Sequence, residues 1–277
     1  MSTEIMRYAA FTERPEGGNP AGVVLDASAL NDAEMQAIAA DVGYSETAFV
    51  TGDGTDVDVR YFSPLAEVPF CGHATIATGV AWGERHGPGV LRMRTRAGLV
   101  EVTVRDGRPP VATLVSVKPS SAPLADEDRA EVLAALSWSD GDLDPALPPR
   151  VAYAGAHHPV LAVASYATLE ALDYDFDRLG ALMAARDWTT MQLVHRVDAT
   201  TFRSRNPFPP GGVVEDPATG AAAAAFGGYL RELGLVEIPA TVTIHQGVEL
   251  GRPSLLTVEI PPGDTGISVS GAAVPIG

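Results

Sequence analysis

Lysine is almost missing from this 277-residue chain, with Lys118 its only example. Pyridoxal-phosphate chemistry needs a lysine to form the Schiff base, and none stands in a motif that suggests one. Cysteine is equally scarce. Cys71 is alone, which excludes an internal disulfide and a thiolate metal cage. Positive charge is short as well: 19 Lys and Arg face 35 Asp and Glu, for a net charge of -16. Such a surface repels phosphate backbones and anionic lipid heads, so neither nucleic acid nor a membrane is an expected partner. The plainest role of that charge is solubility. Long apolar runs are absent too. The run Ala221 to Phe226 is far too short to span a bilayer, and the first residues lack a basic stretch followed by an apolar one. A cytoplasmic protein is expected.

Several motifs are also missing. There is no G-x-G-x-x-G and no phosphate-binding P-loop, so no nucleotide cofactor is indicated. The histidines show no H-E-x-x-H or comparable spacing. His157 and His158 are adjacent, and neighbours on a strand point to opposite faces. His195 and His245 fall on strand candidates, and His86 at a helix end. The expectation is therefore no metal and no cofactor.

What is present describes a folded protein, 46% hydrophobic and 19% charged. Strands are predicted at Ile5 to Thr12, Ala21 to Leu25, Thr47 to Val50 and Val57 to Phe62. Asn31 reads as a helix N-cap, followed by Met35, Ile38, Ala39 and Val42 at helical spacing and closed by Gly43. A helix from Ala74 to Arg85 precedes strands at Val90 to Thr95 and Leu99 to Arg105. Pro119 to Pro123 reads as a linker. Beyond it, helices are expected at Asp126 to Leu136, Phe176 to Ala185 and Ala218 to Leu233. Strands are expected at Val160 to Ala164, Met191 to Arg196, Thr200 to Ser204, Thr241 to Gln246, Leu255 to Ile260 and Gly266 to Ser270.

The two halves read as relatives. Arg60-Tyr61-Phe62-Ser63-Pro64 leads into Cys71-Gly72-His73-Ala74 and a helix of small residues. Arg203-Ser204-Arg205-Asn206-Pro207 leads into Thr219-Gly220-Ala221-Ala222 and another. Repeated order suggests two similar lobes facing a cleft. Small side chains let other backbones approach from every side, as for a helix threaded through a closed sheet.

Chemistry concentrates near these two helix starts. Glycine there permits close approach of a ligand, and the unpaired first N–H groups favour an anion such as a carboxylate. Glu46, between Ser45 and an apolar strand, is a candidate desolvated base. His73 at a helix start is expected to be neutral. Asp216 before Pro217 suits either catalysis or helix capping, and Glu215 reads as its solvated neighbour. Tyr8, Tyr44 and Trp188 read as core aromatics.

Five strings together resemble the PhzF-like proteins of phenazine biosynthesis: Gly18 to Val23, Ser45 to Val50, Cys71 to Thr75, Glu215 to Gly220, and Gln246 to Ser254. The resemblance runs from about residue 5 to the C-terminus. It implies an α+β, diaminopimelate-epimerase-like fold of two pseudo-symmetric lobes, each a mostly antiparallel sheet around a central helix. The lobes would be residues 1–118, joined by a C-terminal strand within about 265–277, and residues 119–264. It further implies a homodimer and a cofactor-independent isomerase that moves a proton within a small carboxylic acid. The reaction would be similar to that of trans-2,3-dihydro-3-hydroxyanthranilate isomerase. Glu46 matches the catalytic base, and His73 and Asp216 match its helpers. Asn19, Ser45, Gly72, Thr219, Gly220 and Ala221 form the candidate substrate-binding set. Related amino-acid epimerases use two cysteines, but Thr219 occupies the second place here, and Ala221 stands where the family often has serine. A single-cysteine epimerase using Cys71, or a noncatalytic metabolite-binding protein, remains an alternative.

Overall fold

The computed structural model describes residues 3–277. The chain divides into two units, one ending at Val115 and reclaiming Ser270–Gly277, the other spanning Ser116–Val269. No helix among the described residues is long and apolar enough to cross a membrane.

In the first unit, β1 (Met6–Ala10) pairs antiparallel with β2 (Asn19–Val24). Helix α1 (Asp32–Val42) then carries the chain to β3 (Glu46–Thr51), which runs parallel to β2. Asn31 and Glu34 form a reciprocal capping box at the start of α1, and Gly43 ends it in the left-handed region. Its buried Met35 and Ala39 pack with Val24, Phe49 and Phe62. Next come β4 (Asp56–Phe62), the short β5 (Glu67–Val68) and helix α2 (Gly72–His86). Strand β6 (Gly89–Thr95) lies parallel to β4, and β7 (Gly98–Arg105) and β8 (Val111–Val115) continue antiparallel. The C-terminal strand, Ser268–Pro275, pairs with β8 and with β1, so the sheet closes on itself. That strand is longer than the stretch ending at Ser270 that patterning suggested. Its tail, Gly271 to Pro275, gives little alternation to read, and pairing with β1 makes it a strand.

Helix α2 fills the closed sheet, and its residues from His73 to Trp82 are all buried. The walls leave no room for larger side chains. A Cβ on Gly79 would stand 2.7 Å from Val102 Cγ1, and one on Gly83 would stand 2.5 Å from Val104 Cγ1.

The second unit opens with β9 (Ser120–Pro123), where the proline-flanked sequence suggested a linker. It pairs on one side only, with β10 (Arg150–Tyr153), and an edge strand tolerates proline. Helix α3 (Asp126–Ala135) lies between them. The order continues through β11 (His157–Ala162), α4 (Tyr166–Glu170), α5 (Phe176–Ala185), β12 (Gln192–Arg196) and β13 (Thr201–Arg205). A small ribbon of β14 (Pro207–Phe208) and β15 (Val213–Glu215) precedes α6 (Gly220–Glu232), β16 (Ala240–Gln246) and β17 (Ser254–Ile260). The main sheet runs β17-β16-β13-β12-β11-β10-β9. Helix α6 packs on its inner face, with Ala222 to Leu230 buried. On the outer side, α3 and α5 enclose a second apolar core that includes Leu136, Leu161, Met183 and Trp188. The unit β4-α2-β6 of the first half reappears as β13-α6-β16, a parallel pair crossed over by the central helix.

Of the two adjacent histidines, His157 is exposed and His158 is completely buried, as strand geometry requires. His158 Nδ1 bonds to Thr190 Oγ1 at 2.9 Å, and burial pushes its pKa down to about 4. Its imidazole is therefore neutral in the folded chain and takes up a proton readily only on unfolding.

Two predictions follow from this packing. Gly79→Ala gains about 1 kcal/mol of helix propensity but overpacks the wall, at about 1–3 kcal/mol. The net effect is a lower melting temperature, and a raised one would refute the account of why the helix is built from small residues. For His158, the unfolded state binds the proton first, so stability is complete above the ordinary value of 6.5 and is lost as pH falls toward about 4. Urea titrations across that window should show a smaller pH slope in His158→Gln than in the unsubstituted chain.

Candidate active site

Helices α1, α4 and α5 each begin with a side chain that accepts from their first turn: Asn31, Ser165 and Asp175. The two central helices do not. Cys71 and Thr219 occupy their N-cap positions without a side-chain capping bond, and neither first turn contains an acidic residue. Each helix thus keeps an electropositive end suited to an anion.

At the start of α2 the local sequence fixes the backbone firmly. Thr75 donates to the carbonyl of Cys71 at 2.6 Å, and the buried Tyr61 hydroxyl meets Thr75 at 2.7 Å. Strands β2 and β3 run parallel with Ala21 opposite Glu46, which brings Asn19 and Glu46 to the same end of the closed sheet. Three elements therefore deliver Asn19, Ser45, Glu46, Cys71 and His73 to one place.

The resulting network is tight. Asn19 Nδ2 stands 3.0 Å from His73 Nδ1. An amide nitrogen only donates, so Nδ1 accepts and the proton of the neutral ring belongs on Nε2. Nε2 lies 3.3 Å from Glu46 Oε2 and 3.3 Å from Ser45 Oγ. The Cys71 thiol also donates to Glu46 Oε2, at 3.4 Å. One carboxylate oxygen thus faces an N–H and an S–H. Burial raises the Glu46 pKa, and the Ser45 and Cys71 hydrogen bonds pull against it without prevailing. A raised carboxylate that is still reachable by a small molecule is suited to taking a proton and returning it. Gly72 is half-buried beside this group at the helix entrance.

In the second unit a separate polar cluster surrounds the start of α6. Asp216 is 8% exposed and does not cap the helix directly. Its Oδ2 accepts from Thr219 Oγ1 at 2.6 Å. Gln246 completes the arrangement: its Oε1 accepts from the Thr219 amide at 3.2 Å, and its Nε2 donates to the Asp216 carbonyl at 2.7 Å. Gly220 is buried and Ala221 half-buried on the first turn of α6. Of the candidate residues, Asn19, Ser45, Glu46, Gly72 and His73 therefore gather in the first unit, and Asp216, Thr219, Gly220 and Ala221 in the second.

Glu215 corrects an expectation. It is 8% exposed rather than solvated, and pairs with Arg205, whose Nε donates to Oε2 at 3.0 Å. Arg205 also donates to the carbonyls of Leu169, Glu170 and Leu172. A carboxylate enters this interior because the guanidinium is already held there. Sequence reasoning also passed over Gln246, whose position in the string ending at Ser254 was the available signal. Spacing along the chain had suggested no metal-ligand set, yet Glu46, Cys71 and His73 place one donor atom each within 4.8 Å of one another. Residues 25 positions apart cannot announce this in sequence.

Comparison with known proteins agrees with this architecture. The family model described as phenazine biosynthesis-like protein matches residues 8–277. The uncharacterized isomerase YddE of Escherichia coli K12 is 33% identical, over 99% of this chain and 96% of that protein. The trans-2,3-dihydro-3-hydroxyanthranilate isomerase of Pseudomonas fluorescens is 34% identical, over 89% of this chain and 86% of that enzyme. The crystal structure of a PhzF-family phenazine biosynthesis protein from Bacillus anthracis superposes with a TM-score of 0.89 at 26% identity, covering 100% of this chain and 98% of the other. With an α+β, epimerase-like fold and near-complete sequence coverage, the chain belongs to the PhzF-like family of phenazine biosynthesis-like proteins and is one of its isomerases.

Proposed function

We propose that this isomerase moves a proton between carbons of a small carboxylic acid without a cofactor, as a cytoplasmic homodimer. Its substrate would be trans-2,3-dihydro-3-hydroxyanthranilate or a close analogue. The observation that carries the reading is a single one: the buried, pKa-raised Glu46 carboxylate beside His73, at the uncapped start of α2. Glu46 takes the proton from the activated carbon. Protonation breaks its role as acceptor for His73 Nε2–H and Cys71 Sγ–H, which favours returning the proton to the second carbon. The α2 amides near Gly72 hold the substrate carboxylate and developing charge. Asp216 is assigned a helper's role, supported by its fixed orientation through Thr219.

The Cys71 epimerase reading has a geometric weakness. Inversion at one carbon needs two bases approaching from opposite faces. Cys71 Sγ and Glu46 Oε2 are 3.4 Å apart and hydrogen-bonded, too close together to flank one carbon from opposite faces. That arrangement suits transfer between two carbons on one face.

Incubation with trans-2,3-dihydro-3-hydroxyanthranilate in D₂O, followed by proton NMR, should show isomerisation with deuterium incorporation. Glu46→Gln keeps the shape and should lower turnover by about 10²–10⁴-fold; full retention would remove Glu46 as the base. The carboxylate is the active form, so kcat/KM should fall as pH drops through its pKa. That acid limb lies above the ordinary carboxylate value because the Glu46 pKa is raised. The same upward displacement means the ionised group opposes folding at neutral pH. Glu46→Gln should therefore melt higher than the unsubstituted chain.

Asn19 sets the histidine tautomer. Asn19→Leu removes one hydrogen bond of about 0.5–1.5 kcal/mol and should lower kcat by a few-fold to roughly tenfold. Nitrogen-15 NMR of His73 should report the Nε2–H tautomer in the unsubstituted chain and a mixture in the variant. An Nδ1–H tautomer at the outset would contradict the assignment.

A further inference from the structure

One oxygen of Glu46, one nitrogen of His73 and the sulfur of Cys71 stand at mutual distances that proton transfer does not require. Glu46 Oε2 is 3.3 Å from His73 Nε2 and 3.4 Å from Cys71 Sγ, and Cys71 Sγ is 3.7 Å from His73 Nε2. Zinc binds nitrogen and oxygen at about 2.0–2.2 Å and thiolate sulfur at about 2.3 Å, so tetrahedral ligand atoms stand about 3.3–3.6 Å apart. The observed triangle is, within about 0.2 Å, one face of such a tetrahedron. The fourth corner remains for water or substrate, as in sites with three protein ligands.

Charge and support fit as well. A carboxylate and a thiolate together neutralise a divalent cation, so the buried group gains no net charge. Ligation through His73 Nε2 requires the ring proton on Nδ1, and the Asn19 amide already adjoins Nδ1. Rotating that amide presents its oxygen instead of its nitrogen, the kind of outer partner that a ligating histidine uses.

We propose that Glu46, Cys71 and His73 form a site for a thiophilic divalent cation, zinc above all, and that its occupancy switches the isomerase off. The switching part rests on Glu46 being the catalytic base. On binding, the Cys71 thiol releases its proton to solvent, three ligand–metal bonds form, and no electron is transferred. The metal takes Glu46 Oε2, the oxygen that would accept the substrate's proton, so metal and turnover exclude each other.

Cobalt(II) serves as the spectroscopic probe, titrated into the reduced, chelator-treated full-length protein without substrate. The expected result is one equivalent bound, with thiolate-to-cobalt charge transfer and the intense visible bands of a tetrahedral ion, displaced by zinc. Glu46→Gln should weaken cobalt binding at least about tenfold, and Asn19→Ala by about 10–100-fold. Zinc should abolish deuterium exchange and a chelator should restore it. Cobalt without sulfur charge transfer, or bound equally well by Glu46→Gln, would overturn the site. Turnover that persists with a stoichiometric sulfur-bound cobalt would overturn the switch. The metal titration needs no substrate, and the exchange assay can be run in chelator. Loss of catalysis in chelator would therefore count against the functional reading alone, and absence of sulfur-bound cobalt against the metal site alone.

Discussion

The packing of a small-residue helix inside a closed sheet is the constraint on which the first unit depends. Strands leave so little room around α2 that a single added methyl at Gly79 would press on Val102. A helix enclosed in this way satisfies its interior backbone groups along its own length. Its first turn is different, because the amides there meet no side-chain cap and no acid. The close packing that holds the helix also fixes where these amides point. The functional group is assembled around that end, with Asn19 from β2, Ser45 and Glu46 at the start of β3, and Cys71 and His73 from the helix entrance.

This arrangement has an electrostatic cost. A carboxylate is kept in a poorly hydrated place, and the hydrogen bonds from Ser45 and Cys71 do not offset burial. The contrast with Glu215 is informative. That residue is further removed from water, with a side chain 4% exposed against 15% for Glu46, but Arg205 neutralises it and is itself tied to three backbone carbonyls. A buried carboxylate with a guanidinium is structural. A buried carboxylate offered an imidazole N–H, a hydroxyl and a thiol, with no guanidinium beside it, retains the freedom to exchange a proton.

Much of this was legible along the chain. Period-three and period-four apolar spacing with caps located α1, and runs of alanine and glycine located α2 and α6. The strings around Glu46, His73 and Asp216 pointed to the family and its isomerase class. The short edge strand β9 was not legible, because proline and serine in sequence mark a linker as readily as a sheet edge. The closing strand extended beyond its apparent end at Ser270, because small residues become a strand only when β1 is there to pair with them.

The amino-acid sequence alone determined the class of molecule: acidic, nearly free of lysine, with one cysteine and two small-residue helices that only a surrounding sheet could accommodate. It also marked Glu46, His73 and Asp216 as candidates for acid–base chemistry, by residue type and by the family resemblance of the strings that hold them. Only the tertiary structure decided that Glu46, Cys71 and His73 share one oxygen's surroundings, that Asn19 dictates a tautomer, and that Glu215 is neutralised by Arg205. These are facts of distance between residues from different strands and helices. Chain closure sets such distances, and no local pattern encodes them.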